Sequence, residues 1–257
     1  MNSNEFLQLL NYAGIILCVV ALCLLIVRGQ WRQYWALGTL LFVRAFSGLL
    51  VSVALLSSGK SIEKHLAYQI YFYVYWTAFA IEAVLALLIL YGALRLVLTP
   101  LRGLQSLGSR IFCGIAFFCA VLAASVPFGP NINGTRYLVA VVTQLQRMQA
   151  ILTLCLLLFV LSVARAVGLS YRNSVLAVTV GLGTLAVMDL VSNIWLVHNP
   201  KMYQQYNVAN AVAATVVVGL WAVYLALPER GRRTVDLPAD SLLARWNRTC
   251  LIWIDGV

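Results

Sequence analysis

Seven long apolar runs dominate this chain and leave it few ways to fold. They lie near residues 6–27, 35–56, 69–95, 111–127, 140–168, 174–196 and 208–227. A bilayer crossing takes about 20 mostly apolar residues. The fourth run is short for a crossing, and the other six are ample. Backbone groups in hydrocarbon must be paired within the structure. Runs of this length achieve that as helices, not as the alternating strands of a barrel. Of the 257 residues, 62% are hydrophobic and only 10% are charged, against about 25% charged in soluble domains. The expected fold is all-α, a polytopic membrane protein built as a seven-transmembrane-helix bundle. Residues 1–230 would form that bundle, and 231–257 a short tail. Glu5 and the absence of a basic residue before the first run argue for a retained helix over a cleaved leader.

Orientation follows from the basic residues. Arg28, Arg32, Arg95, Arg102, Arg110, Arg165, Arg172, Arg230, Arg232, Arg233, Arg245 and Arg248 fall on one side of such a bundle. Lys60, Lys64, Arg136 and Lys201 fall on the other. The N-terminus is expected outside and the tail in the cytoplasm, with anionic lipid of the cytoplasmic face as a partner of the basic side. Topology accounts for most of the net charge of +10, and no nucleic-acid partner is needed to explain it.

Several chemistries are disfavoured by residue type. The only lysines are Lys60, Lys64 and Lys201, all in loops, so no retinal Schiff base can form inside the bundle. His65 and His198 are the only histidines and sit at the outer surface, which excludes a buried bis-histidine haem. No metal cluster, phosphate loop or Ser-His-Asp set is apparent, so neither a cofactor nor catalytic residues are expected and an enzyme is the least supported class. The prolines fall in loops or at helix ends, unlike the broken helices of many transporters. Six cysteines form no C-x-x-C pair and read as small apolar residues.

Four ionisable groups interrupt the apolar runs: Arg44, Glu82, Arg147 and Asp189. Each costs about 2.5–3.5 kcal/mol at the centre of a crossing helix. Arg44 and Glu82 lie near mid-depth on neighbouring antiparallel helices, which predicts an ion pair. Arg147 and Asp189 predict a second pair towards the outer end, with Asn193 one turn beyond Asp189 on the same face. Such pairs either fix helix register or serve as a switch, a proton site or a ligand site. "YQIYFYVYWTAFAIEAV" (68–84) places Tyr68, Tyr71, Tyr75, Phe79 and Glu82 three or four residues apart, on one face. That face is read either as an interfacial aromatic belt, as an outward-opening ligand pocket with Glu82 at its floor, or as a contact for a partner helix. Small-residue rows, Ala211-Thr215-Gly219 and Ala177-Gly181, permit close helix approach within the chain or in a homo-oligomer. In the tail, Leu242, Trp246, Thr249 and Trp253 share one helical face, as in a helix lying on the inner membrane surface.

The stretches "YFYVYWTAFAIEAVL" (71–85), "TPLRGLQSLGSRIF" (99–112), "VGLSYRNSV" (167–175) and "LPADSLLARWN" (237–247) resemble a group of uncharacterised seven-helix membrane proteins common in acidobacterial genomes. The resemblance covers most of the chain. It implies a bacterial cytoplasmic membrane and seven helices, and it assigns no catalytic residue. The function expected is a sensory or ligand-binding membrane module, with an outward-facing aromatic pocket above the Glu82/Arg44 pair. The alternatives are a small-solute or proton-coupled transporter, which needs a water path to Glu82 from both sides, and a non-catalytic structural subunit of a membrane complex.

Overall fold

The computed structural model describes residues 3–32, 34–57, 64–99, 101–125, 134–164, 174–198, 203–227 and 245–249. They form α1 (Ser3–Val27), a 3-10 turn (Gln30–Arg32), α2 (Trp35–Ser57), α3 (Lys64–Val97), α4 (Arg102–Ser125), α5 (Gly134–Ala164), α6 (Ser174–His198) and α7 (Tyr203–Ala226). All seven α-helices contain a span of 18 to 29 residues long and apolar enough to cross a membrane. The largest difference from the sequence reading is α4. It begins at Arg102, two residues after Pro100 in the sequence, and not near residue 111. "RGLQSLGSR" is amphipathic: Leu104, Leu107 and Ile111 line an apolar groove while Arg102 and Arg110 are exposed. A hydropathy reading averages such a turn to polar, yet it is helical.

Six helices close a ring in the order α1, α2, α3, α5, α6, α7 and back to α1, and α3 meets α6 across it. Helix α4 lies outside the ring against α3 and α5 and is the least buried of the seven. Helices consecutive in the chain run antiparallel, whereas the ring neighbours α1/α7 and α3/α5 run parallel. Residues 34–37 of α2 and its entry face residues 88–96 of α3, and Ser192 near the end of α6 bonds Asn210 near the start of α7. Arg28, Arg32, Arg95, Arg102, Arg110, Arg245 and Arg248 are all exposed, and those within spans, Arg95, Arg102 and Arg110, lie in the last turn of α3 or the first turns of α4. The ends of α1, α3 and α7 and the starts of α2, α4 and α6 share one end of the bundle, called here the basic end.

Local chemistry closes the ring there. Gly29 takes a positive φ of 67°, a conformation that suits glycine and ends α1. Arg28 then reaches the last carbonyls of α7, donating to the Leu227 oxygen at 2.7 Å and to that of Ala226. These are acceptors that a helix C-terminus leaves unpaired, and a cation there also complements the helix dipole. Above this clamp sits the core: Leu25, Leu37, Leu41, Leu90, Val97, Leu98, Trp221 and Leu225 are fully buried. A Cβ on Gly181 would collide with the Trp221 indole and Val217, so glycine is what lets α6 and α7 approach. The α7 row also packs within the chain, since a Cβ added to Gly14 would lie 3.8 Å from Thr215 Oγ1 and one added to Gly219 would lie 3.9 Å from Leu17. Of the described cysteines only Cys18 is buried, while Cys119 is half-buried and Cys23, Cys113 and Cys155 are exposed on helix flanks, so the expectation that these thiols are buried holds for Cys18 alone.

A polar cavity within the bundle

Arg44 and Glu82 meet at the level the sequence suggests. Arg44 Nη2 lies 3.0 Å from Glu82 Oε2, and Arg44 Nε donates to the same oxygen at 3.2 Å. The side chains keep 31% and 19% of their accessible surface, because the pair does not sit in packed side chains. It forms one wall of a cavity of about 180 Å³. Arg44 Nη1 is buried and has no hydrogen-bond partner. An unsatisfied guanidinium nitrogen is costly in a low-dielectric interior.

The opposite wall is α6 with α5. Asp189 lines the same cavity, and Gln146 Nε2 donates to its Oδ2 at 3.3 Å. The ion pair expected between Arg147 and Asp189 does not form. Arg147 is exposed, and the residue before it points inward instead. Gln146 and Gln149 both reach the cavity, as the i, i+3 spacing allows, while one further residue turns the helix by about 100° and carries Arg147 away. Gln149 Nε2 also donates to Thr153 Oγ1 at 3.2 Å, and Thr153 bonds back to the Gln149 carbonyl at 2.8 Å. Asn210 of α7 completes the polar lining, its Oδ1 accepting from Ser192 Oγ at 3.1 Å. The site therefore holds three ionisable groups, from α2, α3 and α6, and three amides, from α5 and α7.

The cavity is graded along the bundle. Asp189, Gln146 and Asn210 sit away from the basic end, whereas Leu40, Ala86, Leu182 and Trp221 line it on the side nearer that end. Below them lies the dry layer of Leu25, Leu37, Leu41, Leu90 and Leu225. Trp221 is 1% exposed and its Nε1 has no hydrogen-bond partner, so the indole acts as an apolar plug.

The aromatic stretch is ordered but is not the pocket wall. Tyr71, Tyr75 and Phe79 form a stacked column with centroid spacings of 5.9 and 5.7 Å and interplanar angles of 16°. Only Phe79 lines the cavity. Tyr75 is 42% exposed, so the column runs along the flank of α3 and ends at the cavity. The expectation that Tyr71 and Tyr75 wall the pocket is corrected: their face turns partly outward. The side chains of Tyr68 and Asn193 lie outside the described residues. The sequence reading missed Gln146, Gln149, Asn210 and Trp221. "VTQLQRMQ" carried the signal for the two glutamines, since amides repeated within an apolar run need partners inside it. Comparison with protein-family models, curated proteins and solved structures returns no match.

Proposed function

We propose that this chain is a receptor-like, ligand-binding membrane module whose site is the Arg44/Glu82/Asp189 cavity and whose ligand is a small ammonium-type cation. One observation carries the reading: two carboxylates, one guanidinium and three amides converge on a single cavity of about 180 Å³ inside an otherwise apolar bundle. Ionisable groups placed at membrane depth are functional by default. Two carboxylates against one guanidinium leave a negative charge that suits a cation. The amides supply hydrogen-bond acceptors, and Phe79 and Trp221 offer aromatic surface beside it. A bound ammonium competes with Arg44 for Glu82. It thereby biases α2 against α3, and α3 contacts α6 directly. The buried apolar layer beneath the site supports binding rather than passage, since transport needs a polar path through it.

The excess of arginine at the basic end supports an orientation with that end in the cytoplasm, and the resemblance in sequence supports a bacterial cytoplasmic membrane. The test is a thermal-shift panel on the purified chain in detergent, with primary and quaternary ammonium compounds and carboxylates of matched size. Ammonium compounds are expected to raise the Tm, and Asp189→Asn to abolish the rise. Equal shifts from carboxylates, or a rise that survives Asp189→Asn, would overturn the reading.

A further inference from the structure

The tail is docked onto the bundle, and what it builds there is a second site. Asn247 Oδ1 accepts hydrogen bonds from the backbone nitrogens of Gly103 at 2.9 Å and Leu104 at 3.3 Å. These are first-turn donors of α4, which no residue within the helix can satisfy. A helix cap normally comes from the residue just before the helix. Here it comes from 144 residues away, so it fixes the tail to α4. The neighbouring Trp246 then joins Leu94 of α3, Leu104, Leu107 and Ile111 of α4 and Cys155 of α5 around an apolar groove of about 380 Å³. Trp246 itself stays 59% exposed.

Arginines adjoin the residues that close this groove at the basic end. Arg102 directly precedes Gly103, and Arg245 and Arg248 flank the tethering Asn247. Arg95 lies at the same end, where its carbonyl accepts from Gln105 Nε2 at 3.0 Å. All four side-chain cations belong to exposed residues. The same helices that present cations at one end present an almost wholly apolar groove running away from it. That polarity matches an anionic membrane lipid, with a charged phosphate head and long apolar chains. A soluble protein partner does not fit as well, because the groove lies between helices α3, α4 and α5 along spans apolar enough to be in the bilayer.

We propose that the groove between α3, α4 and α5 binds one anionic phospholipid, its head held by Arg102 and Arg245 and an acyl chain lying against Trp246 and Cys155. The lipid completes the packing of α4, the helix outside the ring. Native mass spectrometry of the delipidated full-length chain in detergent tests this, with dioleoyl phosphatidylglycerol and dioleoyl phosphatidylcholine titrated separately. The expected result is one saturable phosphatidylglycerol adduct per chain, bound at least tenfold more tightly than phosphatidylcholine. The exposed double variant Arg102→Gln/Arg245→Gln is expected to remove that preference. Cys155→Trp, which fills the groove from an exposed position, is expected to remove the adduct. Glycerol phosphate, a head without chains, should not compete. Equal affinity for the two lipids, an unchanged preference in the double variant, non-saturable adducts that survive Cys155→Trp, or competition by glycerol phosphate would each overturn the proposal.

Discussion

Neutralising Glu82 isolates what the intramembrane pair contributes. At 3.0 Å and an effective dielectric of about 20, two unit charges attract by about 5–6 kcal/mol. Desolvation of each ion opposes this by several kcal/mol. Breaking a dry pair costs about 3–5 kcal/mol and breaking an exposed one about 0–1. Arg44 and Glu82 keep 31% and 19% of their surface, and the cavity of about 180 Å³ beside them has room for water, at about 30 Å³ per molecule. Asp189 offers a second carboxylate in that same space. Glu82→Gln is therefore expected to cost about 1–3 kcal/mol. Arg44→Met should cost a similar amount, because two carboxylates then face one another across the cavity. The double variant should be closer to wild type than the sum of the singles, with a coupling of about 1–3 kcal/mol. The assay is unfolding in mixed micelles for the four proteins of the cycle. Additive single effects, or a Glu82→Gln protein as stable as wild type, would refute the argument that the pair is an energetic unit.

Other perturbations address the frame around the site. Gly181→Ala should destabilise by about 1–3 kcal/mol, since the new methyl meets Trp221 and Val217. Gly114→Ala, with nothing within 4 Å of the added carbon, should be neutral or stabilise by up to about 1 kcal/mol. The Gly181→Ala melting curve should fall below wild type and the Gly114→Ala curve should not. Arg28→Met removes the cation from the α7 C-terminus and should cost about 1 kcal/mol, seen as faster hydrogen exchange at the last turn of α7. Trp221→Phe removes a buried N–H without a partner and should change stability by less than about 1.5 kcal/mol, whereas Trp221→Ala should cost about 3–5.

Depth along a helix was readable from the sequence, and rotation about it was not. Arg44 and Glu82 could be matched because both lie at mid-span on helices joined by a short connection. The same depth argument put Arg147 level with Asp189, but height does not set azimuth. One residue of rotation exchanges Arg147 for Gln146. The aromatic column shows the same limit. Spacing placed Tyr71, Tyr75 and Phe79 on one face, yet which neighbour that face meets depends on how α3 sits in the ring, where it touches α2, α4, α5 and α6. Asn210 was overlooked because its role depends on Ser192 across a helix boundary. The start of α4 was lost to hydropathy averaging, since its first turns set leucines along an apolar groove on one side and expose arginines on the other.

The closed ring also says something about time. Helix α1 packs against α2 and α7, so it meets, through Gly14 and Leu17, a helix made only after the five between them. Until Tyr203–Ala226 has been made and inserted, Arg28 has no carbonyls of α7 to clasp and one side of α1 faces whatever the membrane supplies. Helix α1 therefore cannot finish packing until α7 has been made. A nascent chain stopped after α6 is thus an open arc of helices, a shape distinct from a smaller copy of the finished protein.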